Sequence, residues 1–348
     1  MIQIDKTKPV LVTGATGYVA GVLMKKLLSE GLTVHAPIRN PEDKEKTRYL
    51  DTLVDNYPGN IRYFKADLLQ NGSYDEAMQG CELVFHTASP FVLNVKDAQK
   101  DLVDPALKGT QNVLTSVNKT SSVKKVILTS SVAAIYGDNK DIQQAKNGVL
   151  TEEDWNTSSS LKHQPYSYSK TVAEKEAWKI HDEQKRWRLV VINPSFVLGA
   201  GINPNATSES YHMFRQIFDG SMKGGAPDFR LGMVDVRDVA EAHFQAGFNP
   251  DAEGRHIVSA ETSGFMGIVD ILNVKYKGQY PFPQKTVPKF MVWLLAPLVG
   301  FKRKMIKNNI GYSFAADNSK SVNQLGIRYR PLKDTIMEFF EYLVSHQS

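Results

Sequence analysis

Apolar runs of strand length alternate with helical patterns through the first half of the chain. Pro9-Val10-Leu11-Val12-Thr13 is almost continuously apolar, as a strand covered on both faces must be. From Tyr18 to Glu30 the apolar positions Val19, Val22, Leu23 and Leu27 recur at helical spacing, and Gly31 supplies a stop. Strand-like runs follow at 33–38, 61–64, 83–86 and 126–129, separated by helical segments of which the one from Asp97 to Asn118 is the longest. Arg188-Leu189-Val190-Val191-Ile192 adds a sixth strand behind a helix that contains Tyr166. This alternation predicts an α/β fold, a Rossmann-type doubly wound parallel sheet.

Past residue 195 the alternation loosens. Gly, Asn and Pro cluster at 199–205 and 220–228, and helical patterns return at 238–248, 264–274 and 333–346. The expected division is a nucleotide-binding domain over 1–195, to which segments of 230–260 return. A smaller region, 196–348, mainly binds substrate, with the active site in the cleft between. No repeat or low-complexity linker interrupts the chain.

Composition narrows the picture further. The 348 residues are 42% hydrophobic and 23% charged, ordinary for a globular protein, and the net charge of +5 is spread without a long basic run. Nucleic acid is therefore not an expected partner. A single cysteine, Cys81, excludes an intrachain disulfide and reads as a small packing residue before Leu83-Val84-Phe85. Met1-Ile2-Gln3-Ile4-Asp5 runs into the first strand without a charged-then-apolar leader, so the cytoplasm is the expected location. The longest apolar stretch, Phe290 to Phe301, is broken by Pro297 and falls short of the roughly 20 residues a spanning helix needs. No transmembrane segment is expected. Its Phe290, Trp293, Leu294 and Leu298 follow helical spacing, with Lys289, Lys302, Arg303 and Lys304 flanking. Three roles suit it, in this order: a lid or wall over a substrate pocket, an oligomer contact, and interfacial membrane contact.

Two patterns carry chemistry. Gly14-x-x-Gly17-x-x-Ala20 lies between a strand and a helix, where Gly14 allows a tight turn and Gly17 lets the backbone approach a pyrophosphate at the helix N-terminus. The end of the second strand reads Ile38-Arg39-Asn40, with Lys44 one turn on and no carboxylate until Glu42. An arginine there accommodates a 2′-phosphate, so NADPH is the expected cofactor. Asp67-Leu68 and Thr87-Ala88-Ser89 close the third and fourth strands, where adenine and the middle of the dinucleotide would lie. The second pattern is Tyr166-x-x-x-Lys170, which puts both side chains on one face of a helix. A lysine ammonium favours the phenolate and makes Tyr166 a candidate proton donor. Ser131 ends the fifth strand and points into the same cleft. Together the three suit carbonyl reduction: Tyr166 protonates the oxygen, Ser131 orients the carbonyl, and Lys170 tunes Tyr166 and holds the nicotinamide ribose. No metal is implied.

With these residues in view, the chain resembles an extended short-chain dehydrogenase/reductase. More narrowly, it is similar to the dihydroflavonol reductase-like branch, which includes cinnamoyl-CoA reductases and NADPH-dependent carbonyl, methylglyoxal and aldehyde reductases. The resemblance rests on Val12-Thr13-Gly14-Ala15-Thr16-Gly17-Tyr18-Val19, Phe85-His86-Thr87-Ala88-Ser89-Pro90-Phe91, Leu128-Thr129-Ser130-Ser131, Tyr166 and Lys170, Asn193-Pro194-Ser195-x-Val197-x-Gly199, and Asp235-Val236-Arg237-Asp238-Val239-Ala240. It implies that Thr16, Tyr18 and Val19 join the glycines around the cofactor, that Pro194 and Val197 pack near the nicotinamide, and that Ser208 reaches the diphosphate. Asp235 and Asp238 read as a helix N-cap and a bridge to the substrate region. Two positions depart from the pattern. Ala200 stands where a proline is usual, and Tyr136 falls where flavonoid reductases carry an asparagine. Phe91, Tyr136 and Phe196 are candidates to line the pocket, and such a pocket suits an apolar aldehyde, ketone, diketone or keto ester. The expected enzyme is an NADPH-dependent carbonyl reductase acting on a small-molecule carbonyl substrate, as a monomer or homodimer. A nucleotide-sugar epimerase or dehydratase with bound NAD, and a non-catalytic NADP(H) sensor, are the alternatives.

Overall fold

A computed structural model describes residues 2–89, 95–204, 206 and 208–346. The first half runs β1 (Val10–Thr13), α1 (Tyr18–Ser29), β2 (Thr33–Ile38), α2 (Lys44–Asn56), β3 (Asn60–Lys65), β4 (Leu83–His86), α3 (Asp104–Lys119), β5 (Lys125–Thr129), α4 (Pro165–Asp182) and β6 (Arg188–Pro194). The six predicted strands are all present, with ends within two residues of those expected. A π-helical turn, Gln99–Val103, leads into α3, so the long helical stretch begins there rather than at Asp97.

The second half runs β7 (Phe196–Leu198), α5 (Glu209–Phe218), β8 (Ala226–Pro227), β9 (Arg230–Asp235), α6 (Val236–Phe248), β10 (Gly254–Val258), β11 (Glu261–Gly264), α7 (Phe265–Tyr276), β12 (Thr286–Val287), α8 (Lys289–Leu295), α9 (Arg303–Asn309), α10 (Ser319–Leu325) and α11 (Leu332–Ser345). Among these, α5, β9 and β10 lie where the sequence pattern had loosened.

Seven strands form one parallel sheet in the order β10-β6-β5-β4-β1-β2-β3. Strand order reverses between β1 and β4, which opens a crevice at their carboxyl ends. Side chains alternate across the sheet. Val10 and Val12 join α1 and α6 in one core, while Leu11, Val84 and Val126 join α3 and α4 in another. Cover on both faces explains why the strands read as unbroken apolar runs. Fully buried Leu23, Leu27 and Leu28 fix α1 to the sheet, and truncating any one to alanine would cost about 2–5 kcal/mol. A third core joins α5, α7 and α11, below a small sheet ordered β11-β9-β7. Among the described residues no helix is long and apolar enough to cross a membrane.

Candidate active site

The turn between β1 and α1 requires glycine on two counts. Gly14 has φ +68°, and a Cβ placed on it would lie 2.9 Å from Ala88 Cα. Gly17 donates its N–H to Gly14 O at 2.8 Å and opens α1 in extended geometry with no side-chain cap. The first turn carries no acid. Its N–H groups and positive dipole end are thus left open to an anion, and the cradle fits a dinucleotide pyrophosphate. Thr16 is exposed at this turn and Val19 half-buried. Tyr18 has another duty: its hydroxyl donates to Gly199 O at 2.7 Å and its ring meets Tyr211 edge-on at 5.3 Å. Its side chain clamps the loop after β7.

Arg39 and Lys44 are both exposed beyond β2, and neither makes an ion pair among the described residues. Asp67 Oδ1 accepts from Leu69 N at 2.8 Å, and Leu68 packs over Gly109. Thr87 Oγ donates to Thr13 O, and Ala88 N donates to Thr13 Oγ1 at 3.0 Å. These bonds stitch β4 to β1 across the crevice. Behind them His86 is buried against Thr13 Oγ1 at 2.9 Å, and burial pushes its pKa down to about 3, aided by Lys170. His86 is therefore neutral at physiological pH.

Ser131 follows β5 with an extended backbone, and its Oγ accepts from Ala133 N at 3.1 Å. Tyr166 is the second residue of α4, entered through Gln164 in the left-handed region at φ +52° and then Pro165. The Ser131 hydroxyl lies on the side of the Tyr166 oxygen, near enough to favour its ionised form. Burial raises Tyr166 to about 12, the Glu209 carboxylate adds to the rise, and Ser131 opposes it. With 49% of the residue exposed, solvent offsets part of that effect. Lys170 Nζ lies 5.8 Å from the Tyr166 ring centre and donates to Ser89 Oγ at 3.0 Å. Burial lowers its pKa to about 8, against the pull of Glu174. A small cavity lined by His86, Ala88, Ser89, Thr110, Ser130 and Lys170 lies beside it.

Beneath this trio lies a network the sequence reading missed. Glu174 is fully buried one turn beyond Lys170. One carboxylate oxygen accepts from Ser130 Oγ and from Asn193 Nδ2 at 2.8 Å, the other from Arg255 Nε at 2.6 Å. Asn193 Nδ2 also donates to Ser131 O at 3.1 Å, so the network reaches the serine itself. The spacing Tyr166–Lys170–Glu174, four residues each time, was the available signal. A second missed cluster fixes the entry to α4. Buried Asp138 accepts from His163 Nε2 at 2.6 Å, Asn309 Nδ2 at 2.6 Å and Asn308 Nδ2 at 2.8 Å. These bonds hold Asp138 below the usual carboxylate range despite burial.

The remaining expected residues are spread more widely. Pro194 is buried at the end of β6, and Val197 is half-buried in β7. Ser208 caps α5, its Oγ accepting from Tyr211 N at 3.3 Å. Tyr136 packs against Phe314 with ring centres 5.4 Å apart, and Phe196 joins the third core. Phe91 lies outside the described residues. Asp235 caps α6 through Arg237 N at 2.7 Å and accepts from Thr335 Oγ1 at 2.9 Å, while Asp238 accepts from Arg330 N at 2.9 Å. Both acids tie the sheet to the C-terminal elements.

Residues 10–259 match the NAD dependent epimerase/dehydratase family. The chain is 37% identical over 337 residues to cinnamoyl-CoA reductase CAD2 of Medicago truncatula, covering 96% of this chain and 95% of that protein. It is 38% identical to tetraketide alpha-pyrone reductase 2 of Arabidopsis thaliana, over 79% of this chain and 84% of that protein. The structure of yeast methylglyoxal/isovaleraldehyde reductase Gre2 complexed with NADPH superposes with a TM-score of 0.78 at 27% identity, covering 97% and 98% of the two chains.

Proposed function

Because the chain belongs to the NAD dependent epimerase/dehydratase family, in its dihydroflavonol reductase-like branch of oxidoreductases, we propose that it is an NADPH-dependent carbonyl reductase. The observation that carries this is the convergence of Ser131, Tyr166 and Lys170 at the strand ends that flank the Gly14–Val19 turn. The Gly14–Val19 turn would hold NADPH, Arg39 and Lys44 would meet its 2′-phosphate, and the bound cofactor would supply a hydride for the carbonyl carbon. Ser131 donates a hydrogen bond to the carbonyl oxygen and fixes its position. Tyr166, a phenol that keeps its proton at neutral pH, passes that proton to the oxygen as negative charge develops there. The tyrosinate left behind is stabilised by the Lys170 ammonium, and its exposed ring lets water return the proton.

In this reading residues 1–195, with segments of 230–260, hold the cofactor, and 196–348 mainly shape the substrate site. The names of the relatives specify cinnamoyl-CoA, a tetraketide pyrone and small aldehydes for those proteins. For this chain we assign an apolar aldehyde, ketone, diketone or keto ester, with Tyr136 and Phe196 as candidate pocket walls. The enzyme would act in the cytoplasm as a monomer or homodimer.

The test is the initial rate of NADPH oxidation, with NADH in parallel, over aromatic ketones, β-keto esters and diketones. Wild type should prefer NADPH, and Tyr166→Phe should lose about 10²–10⁴-fold in rate. No turnover across the panel, together with tightly bound NAD in the purified protein, would favour an epimerase or dehydratase instead.

A further inference from the structure

Thirteen large hydrophobic residues are exposed among the described residues, and seven of them fall in one segment: Phe290, Met291, Trp293, Leu294, Leu295, Leu298 and Phe301. Leu298 is 82% exposed and Phe290 68%. None of the residues of α8 is buried. The segment is nonetheless anchored from its inner side. Ala296, Ile306 and Ile310 form a small buried cluster, Asn309 of α9 bonds the buried Asp138, and Lys302 Nζ donates to Lys162 O at 2.6 Å. The apolar side chains are held outward on a fixed platform. A patch of this kind on a protein surface marks an interaction site.

Charge decides what it meets. From residue 271 to 316 the sequence contains no acid. Lys285, Lys289, Lys302, Arg303, Lys304 and Lys307 are all exposed around the patch, and none makes an ion pair among the described residues. Arg303 instead stacks on Trp293 at 4.4 Å, bringing a cation and an amphipathic ring to the same point. A second copy of the chain docked on this face by a two-fold axis would set these cations against themselves. An anionic surface satisfies both features at once. We propose that α8 and its flanks dock on an anionic lipid bilayer, the apolar side chains entering the headgroup boundary and Lys285, Arg303, Lys304 and Lys307 facing acidic headgroups, while Lys289 and Lys302 bond carbonyls of the chain itself. Because α4 opens three residues after Lys162, this contact would set the rim of the cleft beside the membrane.

The test is flotation of the full chain with vesicles of phosphatidylcholine alone, or with about one third phosphatidylserine, at low salt. Recovery with the anionic vesicles should exceed that with neutral ones by about tenfold or more, and should fall as salt screens the headgroups. Leu294→Glu and Leu298→Glu, at exposed positions, should each return recovery to the neutral level while melting within about 2 °C of wild type. Arg303→Glu with Lys304→Glu should do so in part. Recovery that is absent, equal on both vesicles, or untouched by either glutamate overturns the proposal. So does a wild-type dimer that Leu298→Glu splits, or a change confined to the KM for a soluble ketone. Those results would assign the segment to subunit contact or to a lid.

Discussion

Glu174 under the cleft and α8 at the surface treat charge in opposite ways. Each oxygen of Glu174 is bonded, its partners Ser130, Asn193 and Arg255 are themselves buried, and the network touches Ser131 directly. Around α8, apolar side chains face water and cations stand without anionic partners. The first arrangement fixes geometry, because both carboxylate oxygens are bonded, even though Asn193 Oδ1 and Arg255 Nη2 stay buried without a partner among the described residues. The second leaves free energy available for something outside the chain. A site that must place a hydroxyl and a phenol within hydrogen-bond reach needs the former, and a recognition surface needs the latter.

The strongest way to break that contrast is Glu174→Ala. It would leave the Arg255 guanidinium buried beside Trp155 without its carboxylate, Ser130 without its acceptor, and Asn193 Nδ2 with the Ser131 carbonyl alone. Removing one partner of a buried pair costs about 3–5 kcal/mol, to be read from urea unfolding at constant m-value. Glu174→Gln, which keeps one acceptor, should lose less. A loss under about 1 kcal/mol for the alanine would mean that the Glu152 and Asp154 carbonyls already bonding Arg255 suffice to hold it.

Lys170→Met tests the same floor from the other direction. Burial has depressed Lys170 to about 8, so folding works against its charge at neutral pH. Removing that charge should stabilise the protein, on the order of 1–3 kcal/mol at pH 7, while activity falls about 10²-fold or more. The sign follows from proton uptake. Between about pH 8 and 10.5 the unfolded chain holds the Lys170 proton and the folded chain does not, so wild-type stability rises with pH. The advantage of the methionine variant should shrink over that window and vanish above it. Melting temperatures of both proteins from pH 7 to 10.5 check this, and a constant gap would refute it.

Arg39→Asp moves to an exposed position beyond β2, where, on the proposed cofactor reading, the effect should be on selectivity alone. An acid at this place favours a ribose 2′-hydroxyl over a 2′-phosphate. The NADPH:NADH ratio of kcat/KM should drop about 10–100-fold, or roughly 1.4–2.7 kcal/mol, with stability within about 0.5 kcal/mol of wild type.

How much of this could be read from the sequence follows the same divide between local and distant partners. Strands such as Thr33–Ile38 and Leu83–His86 were legible to the residue because burial on both faces writes an apolar run into each. The Gly14 turn and the shared helix face of Tyr166 and Lys170 were legible because both are set by local spacing. β10 was not, since Gly254-Arg255-His256 is polar and becomes a strand only by pairing with β6. The role of Glu174 was not legible, because its partner Arg255 is 81 residues away. Asp138 was likewise opaque, its partner Asn309 being 171 residues on. The apolar stretch at 290–301 was visible from composition, but its outward face was not, because periodicity gives a stripe and not the side it shows.

Leu298→Ser brings the smallest expected effect and the sharpest comparison with Glu174. Its side chain is 82% exposed, so the folded chain gains almost nothing by keeping it and little of its apolar area leaves water on folding. Unfolding free energy should change by no more than about 0.5 kcal/mol, measured by urea titration of the isolated protein. A loss near the 2–5 kcal/mol of a buried leucine would place Leu298 inside a packed interface in solution, covered by another copy or by closure over the cleft. An unchanged midpoint would mean that an apolar residue with no part in holding the fold is kept at the surface, and its use then has to be sought in what the chain touches.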